Sequence, residues 1–359
     1  MKIALLHDFL LNEGGAEKVL KAMYEVFPGD VYTLIKKGQW PFEKIKTSSL
    51  GAIPFAEHFY HYLLPLIPRA VEGIDLRGYD VLLSSSHAFI KNCLTTHEQL
   101  HICYCHSPMR SIWDLFHEHL EYISGIKKVA FKHISHNLRL WDLAGSLRID
   151  HFIANSNFVA KRIKRIYGRN VDSVIYPPVN LDEFGIATKI DSYYICIGRL
   201  VPYKKVDLVV EAFSHMPDKK LIVIGDGPLY HEIKKKQYKN IEILGFQERS
   251  QCIQLLKKAK AFIHLGVEDF GIALVEALAS GVPLIALKKG GALEIMKDSA
   301  QGEWVEEQTI TSLIQAIQKF EKKEFDREWI RTSVEKFDIK RFKNEFLQFV
   351  KQRNEAFEK

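Results

Sequence analysis

Cysteine is scarce in this chain. Five occur in 359 residues, at 93, 103, 105, 196 and 252, an odd number without regular spacing. That excludes a disulfide framework and points to a reducing compartment, the cytoplasm. Cys103 and Cys105 flank Tyr104 in a strand-like run and face one side together, but no second pair joins them to complete a zinc site. Long apolar runs are also missing. No uncharged stretch reaches the length of a membrane-spanning helix. The opening Met1-Lys-Ile-Ala-Leu-Leu is broken by His7 and Asp8 too early for a signal peptide, so it reads as a first buried strand. Neither sign of charge dominates: 50 Lys+Arg against 44 Asp+Glu leave a formal +6. This mild excess suits an anionic substrate or membrane surface and implies no nucleic acid. Internal repeats and low-complexity tracts are absent. So are Gly-x-Gly-x-x-Gly and Gly-Lys-Ser, which excludes both the dinucleotide fingerprint and the P-loop.

What is present is an alternation of short apolar runs with helical stretches, the pattern of parallel α/β sheets. Strands are expected at 3–6, 31–35, 81–84, 100–104 and 151–154, with helices at 16–27 and 157–167. Tyr176-Pro-Pro-Val179 then interrupts the pattern, because two adjacent prolines continue neither a helix nor a central strand. A second series follows, with strands at 193–198, 221–224, 241–244, 261–265 and 284–287 and a charged amphipathic tail from Phe337. The length suits two cores rather than one. The expectation is two doubly wound domains, 1–178 and 179–335, with a last helix in 336–359.

The most informative stretch is Glu268-Asp-Phe270-Gly271-Ile272-Ala-Leu-Val-Glu276, closed by Gly281-Val-Pro283. Ile272, Val275, Leu278 and Ala279 share one helical face, and Gly281 and Pro283 stop the helix. Glu268 then falls on the loop ahead of it and Glu276 one turn inside. Amides near Gly271 and Ile272 would be exposed at a helix N-terminus, a ready anion site. Carboxylates for hydroxyls beside amides for a phosphate describe a pocket for a phosphorylated sugar. Gly198-Arg199-Leu-Val-Pro-Tyr-Lys204-Lys205 follows a strand and gathers three cations at its carboxyl end. Such fixed donors stabilise a departing diphosphate, and losing one good donor typically costs about 2.7–4 kcal/mol of barrier. His106-Ser107-Pro-Met-Arg110, with Trp113 and Asp114 behind it, follows another strand in the first half, and His87 follows a third. Asn12-Glu-Gly14-Gly15 lies between the first strand and first helix, where paired glycines let a backbone approach a ligand or simply turn.

The Glu-x7-Glu segment resembles the signature of retaining glycosyltransferases, in particular family 4, whose fold is GT-B. The resemblance implies two Rossmann-like domains facing a cleft, with the last helix crossing back to the first domain. It maps the family's basic loop onto Gly198, Arg199 and Lys204, its Gly-x-Gly-Pro turn onto Gly225-Asp-Gly227-Pro228, and its Gly-Gly-x-x-Glu loop onto Gly290 to Glu294. In such a reading Glu268 holds sugar hydroxyls and Glu276 the ribose. Phe270, Gly271 and Ile272 line the donor side, and Gly14 and Gly15 lie near sugar and phosphate. The run from His106 to Arg110 resembles bacterial O-antigen mannosyltransferases, which would set His106 against the transferred sugar, with Ser107 and Arg110 near the reaction centre. It inclines the donor to GDP-mannose, although a UDP-sugar fits the same motifs. No metal or other cofactor is expected, since Arg and Lys replace the cation and no suitable Asp-x-Asp occurs. The acceptor expected is a saccharide or lipid-linked saccharide. The basic stretch from Lys127 to Arg148, with Phe131, Leu138, Leu140 and Trp141 interleaved, is a candidate contact for an anionic membrane, or else a solvated helix face. Two other classes stay open: a nicotinamide oxidoreductase, against which the first loop speaks, and a non-catalytic nucleotide-sugar-binding partner of a polysaccharide assembly complex.

Overall fold

Every residue of Ile3–Leu10 (β1) is buried, as are those of Val81–Ser86 (β4) and Leu100–Cys105 (β5). Strands covered on both faces read as unbroken apolar runs, which is why the sequence locates them so well. The computed structural model describes residues 1–236 and 238–358. It divides the chain into two α/β units, Met1–Pro178 with Lys340–Lys359, and Val179–Ile339.

In the first unit Asp30–Lys36 (β2), Ile45–Thr47 (β3), His151–Ala154 (β6) and Ser173–Val174 (β7) complete a seven-stranded parallel sheet of order β3-β2-β1-β4-β5-β6-β7. The order reverses between β1 and β4, where His7 lies opposite Ser85. A crevice at the carboxyl ends of such a pair is the usual ligand position in doubly wound sheets. Helices Gly15–Val26, Gly125–Ser146 and Asn157–Tyr167 cover this sheet. The helix Ile339–Phe357 buries Phe342, Phe346 and Val350, one helical face, with Phe342 edge-on to Tyr104 and Phe346 edge-on to Phe27. Arg341 fastens it further by donating to the Tyr176 carbonyl at 2.8 Å. This tail segment begins at Lys340, a few residues beyond the expected 336.

The second unit holds Tyr193–Ile197 (β8), Lys220–Ile224 (β9), Ile241–Gly245 (β10), Ala261–His264 (β11), Leu284–Leu287 (β12) and Gly302–Val305 (β13). They form a six-stranded parallel sheet of order β10-β9-β8-β11-β12-β13. Here the reversal falls between β8 and β11. Strands β3, β7 and β13 are sheet edges of two to four residues that carry no apolar run, and the sequence pattern does not reveal them.

Candidate active site

In the second unit the two loops leaving the reversal point meet. Lys204, on the loop after β8, places Nζ 3.0 Å from Glu268 Oε1, on the loop after β11. His264, the last residue of β11, approaches the same oxygen with Nε2 at 3.1 Å. Burial alone would push the Glu268 carboxyl up, but Lys204 and His264 outweigh it and hold the group well below the usual carboxylate range. Burial likewise pulls Lys204 down, and Glu268 more than restores it, so the ammonium stays charged. Both side chains keep about a fifth of their surface open, 20% for Lys204 and 17% for Glu268. The pair is fixed yet reachable. Arg199, earlier on the loop that carries Lys204, is exposed and makes no ion pair among the described residues.

The backbone around this pair leaves no room for side chains. A Cβ on Gly225 would lie 1.9 Å from the Gly198 carbonyl oxygen, and one on Gly227 would lie 2.6 Å from that of Leu200. The turn 225–228 therefore presses against the basic loop, and Leu200 N–H donates to the Asp226 carbonyl at 2.9 Å. Gly271, at φ 106°, caps the helix Ile272–Ala279 in a conformation only glycine adopts readily. The first amides of that helix lack intrahelical i−4 acceptors. Gly291 N–H donates to the Glu268 carbonyl at 2.9 Å, which ties the segment leading to Glu294 to the Glu268 loop. Glu276 sits one turn inside the helix, as its spacing predicts, and Arg249 Nη1 meets it at 3.2 Å. Phe270, expected on the donor side, is buried. Its ring is 3% exposed and edge-on to Phe337, because an aromatic side chain at this point completes the core.

In the first unit His106 is buried just past β5. Its Nε2 shares a hydrogen bond of 2.8 Å with Ser85 Oγ. Ser85 Oγ is also 3.2 Å from His7 Nδ1, and His7 Nε2 faces Glu17 Oε1 at 3.4 Å. Glu17 in turn accepts from Gly14 N–H at 2.8 Å, so the Gly14-Gly15 turn and His106 end one connected chain of groups. Burial, with repulsion from His87 and His7, lowers the His106 pKa to about 3, so the ring is neutral near pH 7. Asp8 anchors the neighbouring loop. Its Oδ1 accepts from the Phe89 and Ile90 amides, both at 2.7 Å, and its Oδ2 from His87 N–H at 2.7 Å, Ala88 N–H at 3.0 Å and Ser86 Oγ at 3.1 Å. Burial raises this carboxyl, yet His87 and the amides bring it down to about 2. Ser107 Oγ receives a bond from Arg162 at 3.0 Å, and Arg162 and Arg110 both converge on Asp114. An open cavity of about 460 Å³ lies elsewhere, beside β2 and β3, where Tyr32, Lys46 and Tyr79 line it and none of the expected site residues does.

These two clusters sit on a chain whose relatives are informative. Residues 14–183 match the Glycosyltransferase Family 4 model, and residues 183–336 match Glycosyl transferases group 1. The two models together span residues 14–336 and support a family 4 glycosyltransferase. An uncharacterized glycosyltransferase of Methanocaldococcus jannaschii is 29% identical over 227 residues, 57% of this chain and 64% of that protein. A GDP-mannose-dependent monoacylated alpha-(1-6)-phosphatidylinositol monomannoside mannosyltransferase of Corynebacterium glutamicum is 33% identical over 114 residues, 28% of this chain and 30% of the relative. The alignments thus span less than two thirds of these curated relatives. Among solved structures, Anabaena HepE in complex with UDP superposes over 98% of this chain and 100% of its own, with a TM-score of 0.69 at 17% identity. The fold is GT-B.

Several groups in this chain escaped the sequence reading. His264 stands four residues before Glu268, a spacing that carries no message until a strand end turns the two toward each other. His7 and Asp8 read merely as a break in an apolar run. Arg249 gave no signal, since Glu276 and Glu183, its two partners, lie far along the chain on either side.

Proposed function

We propose that the chain is a retaining glycosyltransferase that moves a hexose, mannose from GDP-mannose in the reading we favour, to a saccharide or lipid-linked saccharide in cell-surface polysaccharide synthesis at the cytoplasmic face of the membrane. The observation that carries this reading is the Lys204–Glu268 pair at the reversal point of the second sheet, with exposed Arg199 and the Gly271 helix start around it. A diphosphate needs fixed cations and amides, while a hexose needs a carboxylate that stays ionised to accept from its hydroxyls. The pair supplies both within one hydrogen-bond length.

The bond from the anomeric carbon to the diphosphate oxygen breaks as the acceptor oxygen attacks on the same face, and a phosphate oxygen takes the acceptor proton. Arg199, Lys204 and the amides near Gly271 receive the charge that grows on the leaving group, so no metal is required in this scheme. Neutral His106 in the first unit serves as a hydrogen-bond partner for the transferred sugar rather than as a cation. The mannosyl donor is supported by the His106–Arg110 run and by the GDP-mannose named for the Corynebacterium glutamicum relative. UDP in the Anabaena HepE structure favours the alternative, a UDP-sugar. Release of free nucleotide from GDP-mannose, UDP-glucose, UDP-galactose and UDP-N-acetylglucosamine, with and without lipid-linked saccharide, decides between them. Turnover of GDP-mannose alone supports the favoured reading. Turnover of a UDP-sugar selects the alternative, and tight donor binding without turnover would turn the assignment to a non-catalytic partner.

A further inference from the structure

The helix Gly125–Ser146 has two apolar faces. One is internal: Phe131 and Leu138 are buried together with Ser135, Asp142, Gly145 and Ser146. Trp141 is half-buried and donates to Glu72 at 2.7 Å. Of the apolar residues expected to meet a membrane, only Leu140 faces solvent, because the inward face needs the others for the core. The exposed face has an apolar stripe of its own. Ile126 is 85% exposed, Val129 68%, Leu140 58%, Leu143 41% and, just past the helix end, Leu147 72%. With His133 and His136 between them, these positions recur at alternating steps of three and four residues, which places them on one side of the helix. A single exposed leucine needs no explanation, but a stripe running along a helix of about 33 Å does.

Charge selects the occupant. Lys128 and Lys132 border the stripe along one edge and Lys127 is exposed at the first turn, while the one carboxylate of the helix, Asp142, is buried against Lys91 at 2.6 Å. The adjacent helix Asn157–Tyr167 adds Lys161, Lys164 and Arg165 at exposed positions and carries no carboxylate. Exposed acids flank the helix in sequence at both ends, Glu118 and Glu121 before residue 125 and Asp150 after residue 146, and none lies within the stripe. Exposed Tyr62 and Tyr122 lie toward the same end, with Lys127 Nζ 5.7 Å over the Tyr62 ring. A second copy of this chain seated on the stripe would set lysines against lysines without a counter-charge. A bilayer of anionic phospholipid offers hydrocarbon to the stripe, phosphates to the lysines and an interface for the tyrosines. Among the described residues no helix is long and apolar enough to cross a membrane, so the contact would lie in the surface plane.

We propose that the solvent face of the helix Gly125–Ser146 is a docking surface for an anionic phospholipid bilayer. The helix also grips the segment that follows His106: Arg139 donates to the Ile112 carbonyl at 2.8 Å and Trp113 Nε1 to Asp142 at 2.9 Å. Docking therefore holds the chain by an element attached to the His106 segment. It goes beyond the chemistry proposed above, and a lipid-linked acceptor would give it a use.

The test is co-sedimentation of the full chain with vesicles of phosphatidylcholine alone or mixed equally with phosphatidylglycerol. Three lysines near an anionic surface predict partitioning stronger by roughly a hundredfold on the mixed vesicles, declining as salt rises. Leu140→Ser with Leu143→Ser, both at exposed positions, is expected to cost about tenfold or more with an unchanged circular dichroism spectrum. Lys127→Glu with Lys132→Glu removes the preference for phosphatidylglycerol. No sedimentation with the mixed vesicles overturns the proposal. So does a wild-type dimer in analytical ultracentrifugation that the leucine pair abolishes, which would assign the stripe to a second copy. The assay contains no donor sugar, so its outcome is separate from that of the transfer reading.

Discussion

Replacing Asp8 by Asn isolates one buried carboxylate and the loop it organises. Asp8 is fully buried and accepts from the amides of residues 87 to 90 and from Ser86 Oγ. Its pKa falls from the ordinary 3.8 to about 2 on folding. A depressed carboxyl contributes stability that is fully present above its unfolded pKa and is lost as the pH falls through the folded one. The contribution at pH 7 is therefore about 2 kcal/mol, and it disappears between roughly pH 4 and pH 2. Asn keeps one acceptor oxygen but turns an NH2 toward amides that need an acceptor, so the variant forfeits at least that amount. Hydrogen exchange followed by mass spectrometry reads this locally, without requiring the two units to unfold together. The peptide containing His87 to Ile90 should exchange roughly thirtyfold faster in the variant at pH 7, in keeping with about 2 kcal/mol. Peptides from β8 to β13 should not change. Equal protection of the 87–90 amides in both proteins would refute the reasoning.

Two further substitutions probe the second unit. Gly225→Ala drives a methyl into the Gly198 carbonyl, 1.9 Å from the ideal Cβ, so thermal unfolding should report a loss of about 3 kcal/mol or more; an unchanged melting temperature would contradict the packing of the two loops. Glu268→Gln keeps the shape but removes the charge between Lys204 and His264; turnover of the accepted donor should fall by about a hundredfold, and full activity would remove Glu268 from the sugar contact.

The central strands were legible because β1, β4, β5 and β12 are buried on both faces and so read as unbroken apolar runs. The placement of Glu268 before the helix and of Glu276 inside it followed from local geometry and the Gly271 cap. What stayed hidden depends on distance along the chain. Asp8 gains its meaning from amides 79 to 82 residues away, and no periodicity encodes such a partner. The inward side of the Gly125–Ser146 helix stayed hidden for a different reason: apolar residues on opposite faces blur the periodicity from which it would be read. Phe270 lay inside a motif whose neighbours are accessible, so its burial against Phe337 could not be told from the motif.

The most direct test of the central claim is calorimetric titration of GDP-mannose and UDP-glucose into the wild-type chain and Lys204→Met. The account predicts that the wild type binds one of these nucleotide sugars, and that Lys204→Met binds it at least tenfold more weakly, since the variant leaves Glu268 facing the diphosphate without its cation. Equal affinity of the two proteins, or no binding to either donor, would contradict the assignment of the Lys204–Glu268 pair to a nucleotide sugar.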